Sequence, residues 1–328
     1  MRICKYSESN NEFIRMVKIV KTMIGLIAGK SGDSLTDELH DLGYQVALVV
    51  GKEQEPGTEK ADCVLVCDLN NKDKVFEFFS ERNVRYFVVG TGISLAFDLT
   101  EYLERKGMIS SISVKASQFV KNKYETKRVM EQIGINTPRY VFYSHDEEVD
   151  FNKIIMEIGF PCVVKSNTDA VQPVCANDEK ELEDAINAVM ETSTDVLVEE
   201  CIKGGDITVC VGNDEKRVYP VEVLSFSKAK EYGLKGFHGA YAEDATDEIR
   251  KQLFELSMRL IKELEVVGVA RVDFIVQDGV MYVLEVNSVI VTGYHGTTYP
   301  FFKESGINIA KVSISNAIEV FRNRHADL

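Results

Sequence analysis

The sequence predicts an α/β domain followed by α+β lobes, and three observations carry that reading. Short apolar runs alternate with helical patterns through the first third, as in a parallel sheet with crossover helices. After about residue 115 strands and helices fall into separate groups, the arrangement of α+β lobes. Near the end, two β-rich runs flank Gln277-Asp278-Gly279, and Asp-Gly between such runs signals a hairpin.

The elements follow in order. Ile24 to Ala28 is an apolar strand closed by Gly29-Lys30-Ser31-Gly32, and Ser34 to Leu42 has helical spacing with Leu35, Leu39 and Leu42 on one side. Val46 to Val50, Cys63 to Cys67 and Tyr86 to Val89 read as the next strands, with helices over Lys74 to Glu81 and Leu95 to Lys106. Gly29-Lys30-Ser31 ends like a phosphate-binding loop, but that motif needs a glycine where Ile24 stands. Gly90-Thr91-Gly92 begins like a dinucleotide fingerprint, but its third glycine is replaced by Leu95. Both segments read as tight turns at strand ends, which weakens an oxidoreductase reading resting on this sheet.

Further along, Lys121 to Ile133 is helical and is closed by Gly134 and Pro138. Cys162 to Val164 is a strand leading into Lys165, Glu179 to Met190 is a helix, and Val196 to Val198 is a strand meeting Glu199-Glu200. Thr208 to Val211 and Val218 to Leu224 read as antiparallel neighbours, and Asp247 to Leu264 as an amphipathic helix. In the hairpin, a three-residue loop Gln277-Asp278-Gly279 with Gly279 left-handed sets Val276 opposite Val280 and Asp273 opposite Val283. Side chains alternate along a strand, so Arg271, Asp273, Glu285 and Asn287 share one face. Val272, Phe274, Tyr282, Leu284 and Val286 form the core face, whereas a two-residue loop would put Asp273 and Glu285 on opposite faces. Two carboxylates and an amide oxygen suit Mg²⁺, a hard ion that takes oxygen ligands. A solvated face with an Arg–Asp pair is the alternative.

Composition narrows the function. The chain has 328 residues, with 38 Lys+Arg against 52 Asp+Glu, a formal net charge of −14. That balance excludes a nucleic-acid grip, which needs a basic stripe, and a polybasic membrane anchor. Hydrophobic residues at 45% and charged residues at 27% are ordinary for a globular protein. No apolar run approaches the roughly 20 residues of a membrane span. Lys5, Glu8, Glu12, Arg15 and Lys18 interrupt the first residues, unlike a secretory signal. The seven cysteines, Cys4, Cys63, Cys67, Cys162, Cys175, Cys201 and Cys210, contain no C-x-x-C pair, so a zinc ribbon is not expected. A cytoplasmic location is expected.

From the hairpin backwards, the motifs resemble those of the ATP-grasp superfamily, whose members couple a carboxylate to an amine or similar nucleophile. The resemblance covers residues 116 to about 320. Lys123 precedes Gly134 as the family's first nucleotide lysine precedes its G-[IV]-x-x-P. Gly159-Phe160-Pro161-Cys162-Val163-Val164-Lys165 is similar to the G-[FY]-P-x-[VI]-[VI]-K segment whose lysine touches phosphate. The resemblance implies that the backbone of Glu199, Glu200, Cys201 and Ile202 pairs with the adenine edge and that Asp206 meets the ribose. It makes Asp273, Glu285 and Asn287 the metal ligands, Arg271 the transition-state arginine and Lys235 a third phosphate lysine. The first third is similar to the Rossmann-like domain that precedes the grasp. The implied division is 1–115, Rossmann-like; 116–200, the N-terminal lobe; and 201–328, the C-terminal lobe.

The implied activity is an ADP-forming carboxylate–amine ligase working through an acyl phosphate. Its cofactors would be ATP and Mg²⁺ or Mn²⁺, as two ions. Its partners would be a small carboxylate and an amine, with no nucleic acid or membrane, and homodimers are common in the resembled family. Lys123 and Lys165 would offset phosphate charge, and Arg271 would stabilise the oxyanion of the tetrahedral adduct. Two departures stand out. Ser166-Asn167-Thr168-Asp169-Ala170-Val171-Gln172-Pro173 holds no glycine, although the family's phosphate loop is glycine-rich so that backbone amides can approach. Ser288-Val289-Ile290-Val291-Thr292-Gly293-Tyr294-His295-Gly296 follows neither the D-alanine–D-alanine ligase pattern nor that of biotin carboxylase. His238, Thr292, Gly293, Tyr294 and His295, close to glycines, are substrate-loop candidates or satisfied loop residues. An ATP-binding sensor without turnover and an ATP-grasp kinase remain the other readings.

Overall fold

The computed structural model describes residues 22–168, 172–193, 195–213, 218–225, 240–241, 245–296 and 298–325. Three sheets organise them. The first is wholly parallel, in the order β3-β2-β1-β4-β5, from Met23–Ile27 (β1), Gln45–Val50 (β2), Cys63–Val66 (β3), Tyr86–Val89 (β4) and Ile109–Ser110 (β5). Helices Gly32–Asp41 (α1), Lys72–Ser80 (α2) and Ser94–Arg105 (α3) make its crossovers. Ile24, Leu26 and Leu48 face α1 and Leu35, while Ile27, Val49 and Phe87 face Phe79 and Leu99. A parallel sheet covered on both faces needs such near-continuous apolar strands. Every strand and helix expected for this region is present within two residues of its expected ends.

Helix Val114–Lys121 (α4), capped by the Ser113 hydroxyl, was not foreseen. It runs into Lys123–Gln132 (α5), whose N-cap is Asn122 accepting from the Glu125 amide at 3.0 Å. The second sheet is antiparallel, in the order β6-β9-β7-β8, from Tyr140–Tyr143 (β6), Cys162–Ser166 (β7), Val174–Ala176 (β8) and Val196–Glu200 (β9). One face packs Val141, Cys162, Val164 and Val198 against Phe151–Glu157 (α6) and Glu179–Met190 (α7). Alternation turns Val163, Lys165, Leu197, Glu199, Tyr140 and Phe142 to the other face.

The third sheet, β12-β11-β10-β13-β14, is also antiparallel. It contains Gly205–Asn213 (β10), Val218–Ser225 (β11), Ala240–Tyr241 (β12), Gly268–Gln277 (β13) and Val280–Asn287 (β14). The expected pairing of Thr208–Val211 with the strand from Val218 is present. Asp247–Glu263 (α8) covers this sheet through Leu253, Leu260 and Ile261. Tyr299–Glu304 (α9) and Ile309–His325 (α10) return to the first sheet, where Phe302, Ile309, Ala310 and Ile314 join the core of Leu35 and Leu39. No described helix is long and apolar enough to cross a membrane.

The hairpin corrects one expectation and keeps its consequence. The loop has two residues, since Gln277 pairs with Val280 and Val276 with Met281. Asp278 and Gly279 both have positive φ, 51° and 79°, the type I′ geometry that matches strand twist. A bulge then places Phe274 opposite Val283 but Asp273 opposite Glu285, leaving Leu284 as the extra residue. Asp273 and Glu285 therefore share a face through the bulge. The core positions of β14 become Met281, Val283 and Val286; Tyr282 and Leu284, expected in the core, are only partly buried.

Candidate nucleotide and metal site

Two groups of charged side chains face each other across the second and third sheets. The first centres on Glu199, 2% exposed. Its Oε2 lies 2.8 Å from Lys165 Nζ and its Oε1 lies 3.1 Å from Lys127 Nζ. Lys127, on α5, is 1% exposed and donates to Thr137 Oγ1 at 2.6 Å; Thr137 donates in turn to the Val283 carbonyl at 2.9 Å. Burial lowers the Lys127 pKa to about 8 even with Glu199 opposing the shift. Lys123, at the first turn of α5, donates its amide and its ammonium to the Asn167 carbonyl, at 3.1 and 3.3 Å. The Asn167 side chain accepts from the Tyr124 amide at 2.9 Å. The root of the glycine-free loop is thereby tied to the helix that carries Lys123.

The second group is on the hairpin. Asn287 Nδ2 donates to Asp273 Oδ2 at 3.2 Å and to Glu285 Oε1 at 3.0 Å. Arg271 approaches the same carboxylates, Nε to Asp273 at 3.2 Å and a terminal nitrogen to Glu285 at 3.7 Å. Thr208, opposite Asp273 on β10, donates to its Oδ1 at 2.5 Å. Burial pushes Asp273 up to about 7, with Arg271 opposing and Glu285 adding to the rise. Burial also pushes Glu285 up, but the Asn287 hydrogen bond and the charges of Arg271, Lys123 and Lys165 carry it below its ordinary value. The lysines of one group thus act on a carboxylate of the other. The donor set fits a hard cation: two carboxylates and an amide converge, with the amide needing to present Oδ1 in place of Nδ2.

The remaining candidates are spread more widely. Glu200 binds Arg139, accepting from its amide and its Nε, both at 2.8 Å. The Cys201 amide donates to the Pro161 carbonyl at 3.2 Å, and Ile202 follows it, partly exposed. Asp206 is exposed on β10, opposite Ile275. Lys235 and His238 lie outside the described residues. Thr292 is buried against the first sheet: its amide donates to Ser31 Oγ at 3.0 Å and its carbonyl accepts from Ser34 Oγ at 2.6 Å. Ser31 also donates to the Gly90 carbonyl at 2.8 Å, so the two glycine-bearing turns of the first sheet are joined beneath this loop. A Cβ on Gly293 would stand 2.0 Å from the Lys30 carbonyl, which explains the glycine. Tyr294 donates to Asp37 Oδ2 at 2.5 Å, beside Lys60, and His295 is exposed. Lys127 was missed by sequence reasoning; its signal is a lysine in the buried phase of α5, beside Thr126 and Met130.

Comparison with known proteins matches residues 129–313, more than half of the chain, to the family described as D-ala D-ala ligase C-terminus. The chain belongs to this family. The match spans Lys165, Glu199, Arg271, Asp273, Glu285 and Asn287, while Lys123 and Lys127 lie just before it. Among the relatives, a D-alanine–D-alanine ligase of Clostridium botulinum (strain Okra / Type B1) is 29% identical over 177 residues, covering 51% of this chain and 57% of that one. A ligase of the same name from Bacillus anthracis (strain CDC 684 / NRRL 3495) is 26% identical over 253 residues, covering 74% and 82%. A solved D-alanine–D-alanine ligase of Bacillus anthracis, complexed with ATP, has a TM-score of 0.68 at 21% identity, covering 92% of this chain and 99% of that one.

Proposed function

We propose that the chain is an ADP-forming ligase that joins a carboxylate to an amine, with ATP held between the second and third sheets. The observation that carries this is the opposed charge excess of the two groups. Lys127 and Lys165 against Glu199 leave a positive surplus, suited to phosphates. Asp273 and Glu285 against Arg271 leave a negative one, suited to a divalent cation. The ATP complex of the similar Bacillus anthracis ligase supports the nucleotide. The backbone of Glu199 to Ile202, at the end of β9, would take the adenine edge, and Asp206 the ribose. Residues 1–115 would be the Rossmann-like domain, 116–200 and 201–328 the two lobes. The six described cysteines are free, which suits a reducing, cytoplasmic setting.

In the reaction, a substrate carboxylate oxygen attacks the γ-phosphorus and the bond to the β–γ bridging oxygen breaks, giving an acyl phosphate and ADP. The amine attacks the acyl carbon; phosphate leaves with the bonding pair and the amine loses a proton. Lys123 and Lys165 hold phosphate oxygens, and Arg271 offers hydrogen bonds to the oxyanion of the tetrahedral adduct. Mg²⁺ held by Asp273, Glu285 and Asn287 would offset the charge that develops on the phosphates. The loop at Thr292 to Tyr294 docks on Ser31, Ser34, Lys30 and Asp37, and the acid and the amine are left to experiment.

The test is a screen of ADP and phosphate release over amino acids and other small carboxylates paired with amines. Release that requires both partners is the expected result. AMP and pyrophosphate would refute the chemistry, a stable phosphorylated product would indicate a kinase, and ATP binding without turnover would indicate a sensor.

A further inference from the structure

The charge balance around Glu199 assigns Lys127 a role beyond filling space. One carboxylate serves two ammonium groups, each on its own oxygen: Lys127 on Oε1 at 3.1 Å and Lys165 on Oε2 at 2.8 Å. Lys127 is the deeper, at 1% exposure, against 8% for the Lys165 side chain. It is anchored by Thr137 and flanked by the Tyr140 ring at 5.4 Å. Besides Glu199, the Lys165 charge acts against its own and the Glu131 charge supports it. We propose that Lys127 is a positioning residue that neutralises Glu199 from behind, so that the Lys165 charge stays available to the nucleotide phosphates.

Without Lys127, Glu199 and Lys165 would form an isolated pair with no surplus charge. A buried carboxylate holds an adjacent ammonium strongly, and Lys165 would then have to leave Glu199 uncompensated to engage phosphate. With Lys127 present, the trio keeps a net single positive charge, and Glu199 retains a partner when Lys165 shifts toward its ligand. The Thr137 link extends the effect: Thr137 binds the Val283 carbonyl, at the bulge that turns Glu285 onto the Asp273 face. A buried lysine that only satisfied its own hydrogen bonds would not couple its charge to ATP affinity, and this is where the two roles separate.

This inference rests on the reading that Lys165 meets the nucleotide, and calorimetric titration with Mg²⁺-ATP, without acid or amine, distinguishes the two. Lys127→Met is expected to weaken binding about tenfold. Lys127→Met combined with Glu199→Gln removes the charge and its counter-charge together, and should return affinity to within about threefold of the wild type. Unchanged affinity in the single variant, or a double variant as weak as the single, overturns the proposal. Should the single variant not fold, the double variant decides: affinity within about threefold of the wild type supports the role, and a larger loss overturns it. A wild-type chain that does not bind ATP would remove the nucleotide reading itself, and this proposal with it.

Discussion

The inner face of the second sheet and the outer end of the β13–β14 hairpin use the same ingredients in opposite proportion. Around Glu199 two ammonium groups share one carboxylate; on the hairpin two carboxylates share one guanidinium and an amide. The first group is buried, the second partly buried, and neither is neutral. Burying surplus charge costs stability unless a ligand completes it, so both read as halves of a binding site. A chain of net charge −14 cannot draw a polyanionic nucleotide by its overall field. Attraction has to come from the local cations and from the cation that the hairpin would hold.

The largest expected effect breaks the hairpin half. Glu285→Gln keeps the shape and the Asn287 contact but removes a charge. Turnover should fall at least about 100-fold, with a higher half-saturating Mg²⁺ concentration. The check is ADP formation as a function of Mg²⁺; wild-type turnover in this variant would take Glu285 out of the site. Next comes the other half. Lys165→Met leaves Glu199 balanced by Lys127 alone, so the surplus disappears along with the phosphate contact. Nucleotide affinity should fall about 10- to 100-fold, with or without Mg²⁺, whereas Glu285→Gln should matter for nucleotide binding only when Mg²⁺ is present. Equal Mg²⁺ dependence in the two variants would erase the distinction between the groups.

How much of this was legible differs between the regions for physical reasons. The parallel sheet announced itself because strands such as Val46 to Val50 are apolar throughout, and no register had to be guessed. The hairpin was harder. The shared face of Asp273 and Glu285 was inferred from a three-residue loop; the structure reaches the same face through a two-residue type I′ turn and a bulge at Leu284. Both devices give the same face because each shifts the plain two-residue register by one, in opposite directions: Asp273 opposes Val283 in the first and Glu285 in the second. The difference surfaces also in the core, where Met281 and Val283 take the places expected for Tyr282 and Leu284. Lys127 was passed over because a lysine on a helix is ordinarily solvated, and its counter-charge, Glu199, lies on a strand far along the chain. The role of Thr292 and Gly293 in docking onto Ser31, Ser34 and Lys30 was likewise hidden, since that contact joins the two ends of the sequence.

The smallest effect sharpens the comparison by testing a neighbour of the hairpin group rather than a member. Thr208 stands opposite Asp273 in the ladder and gives its hydroxyl to Oδ1, leaving Oδ2 to Arg271 and Asn287. Thr208→Val preserves the branched shape and the strand preference while removing the donor that orients this carboxylate. If Asp273 is a metal ligand, the half-saturating Mg²⁺ concentration for ADP formation should rise about tenfold, the lower end of the effect of losing an outer-shell partner. Thr208→Ser, which restores a hydroxyl, should recover most of it. Nucleotide affinity measured without metal should not move, because the lysines around Glu199 are untouched. A loss of metal-free nucleotide affinity in Thr208→Val would mean that the two groups are not separate halves but one coupled network, linked through β10 and the bulge of β14.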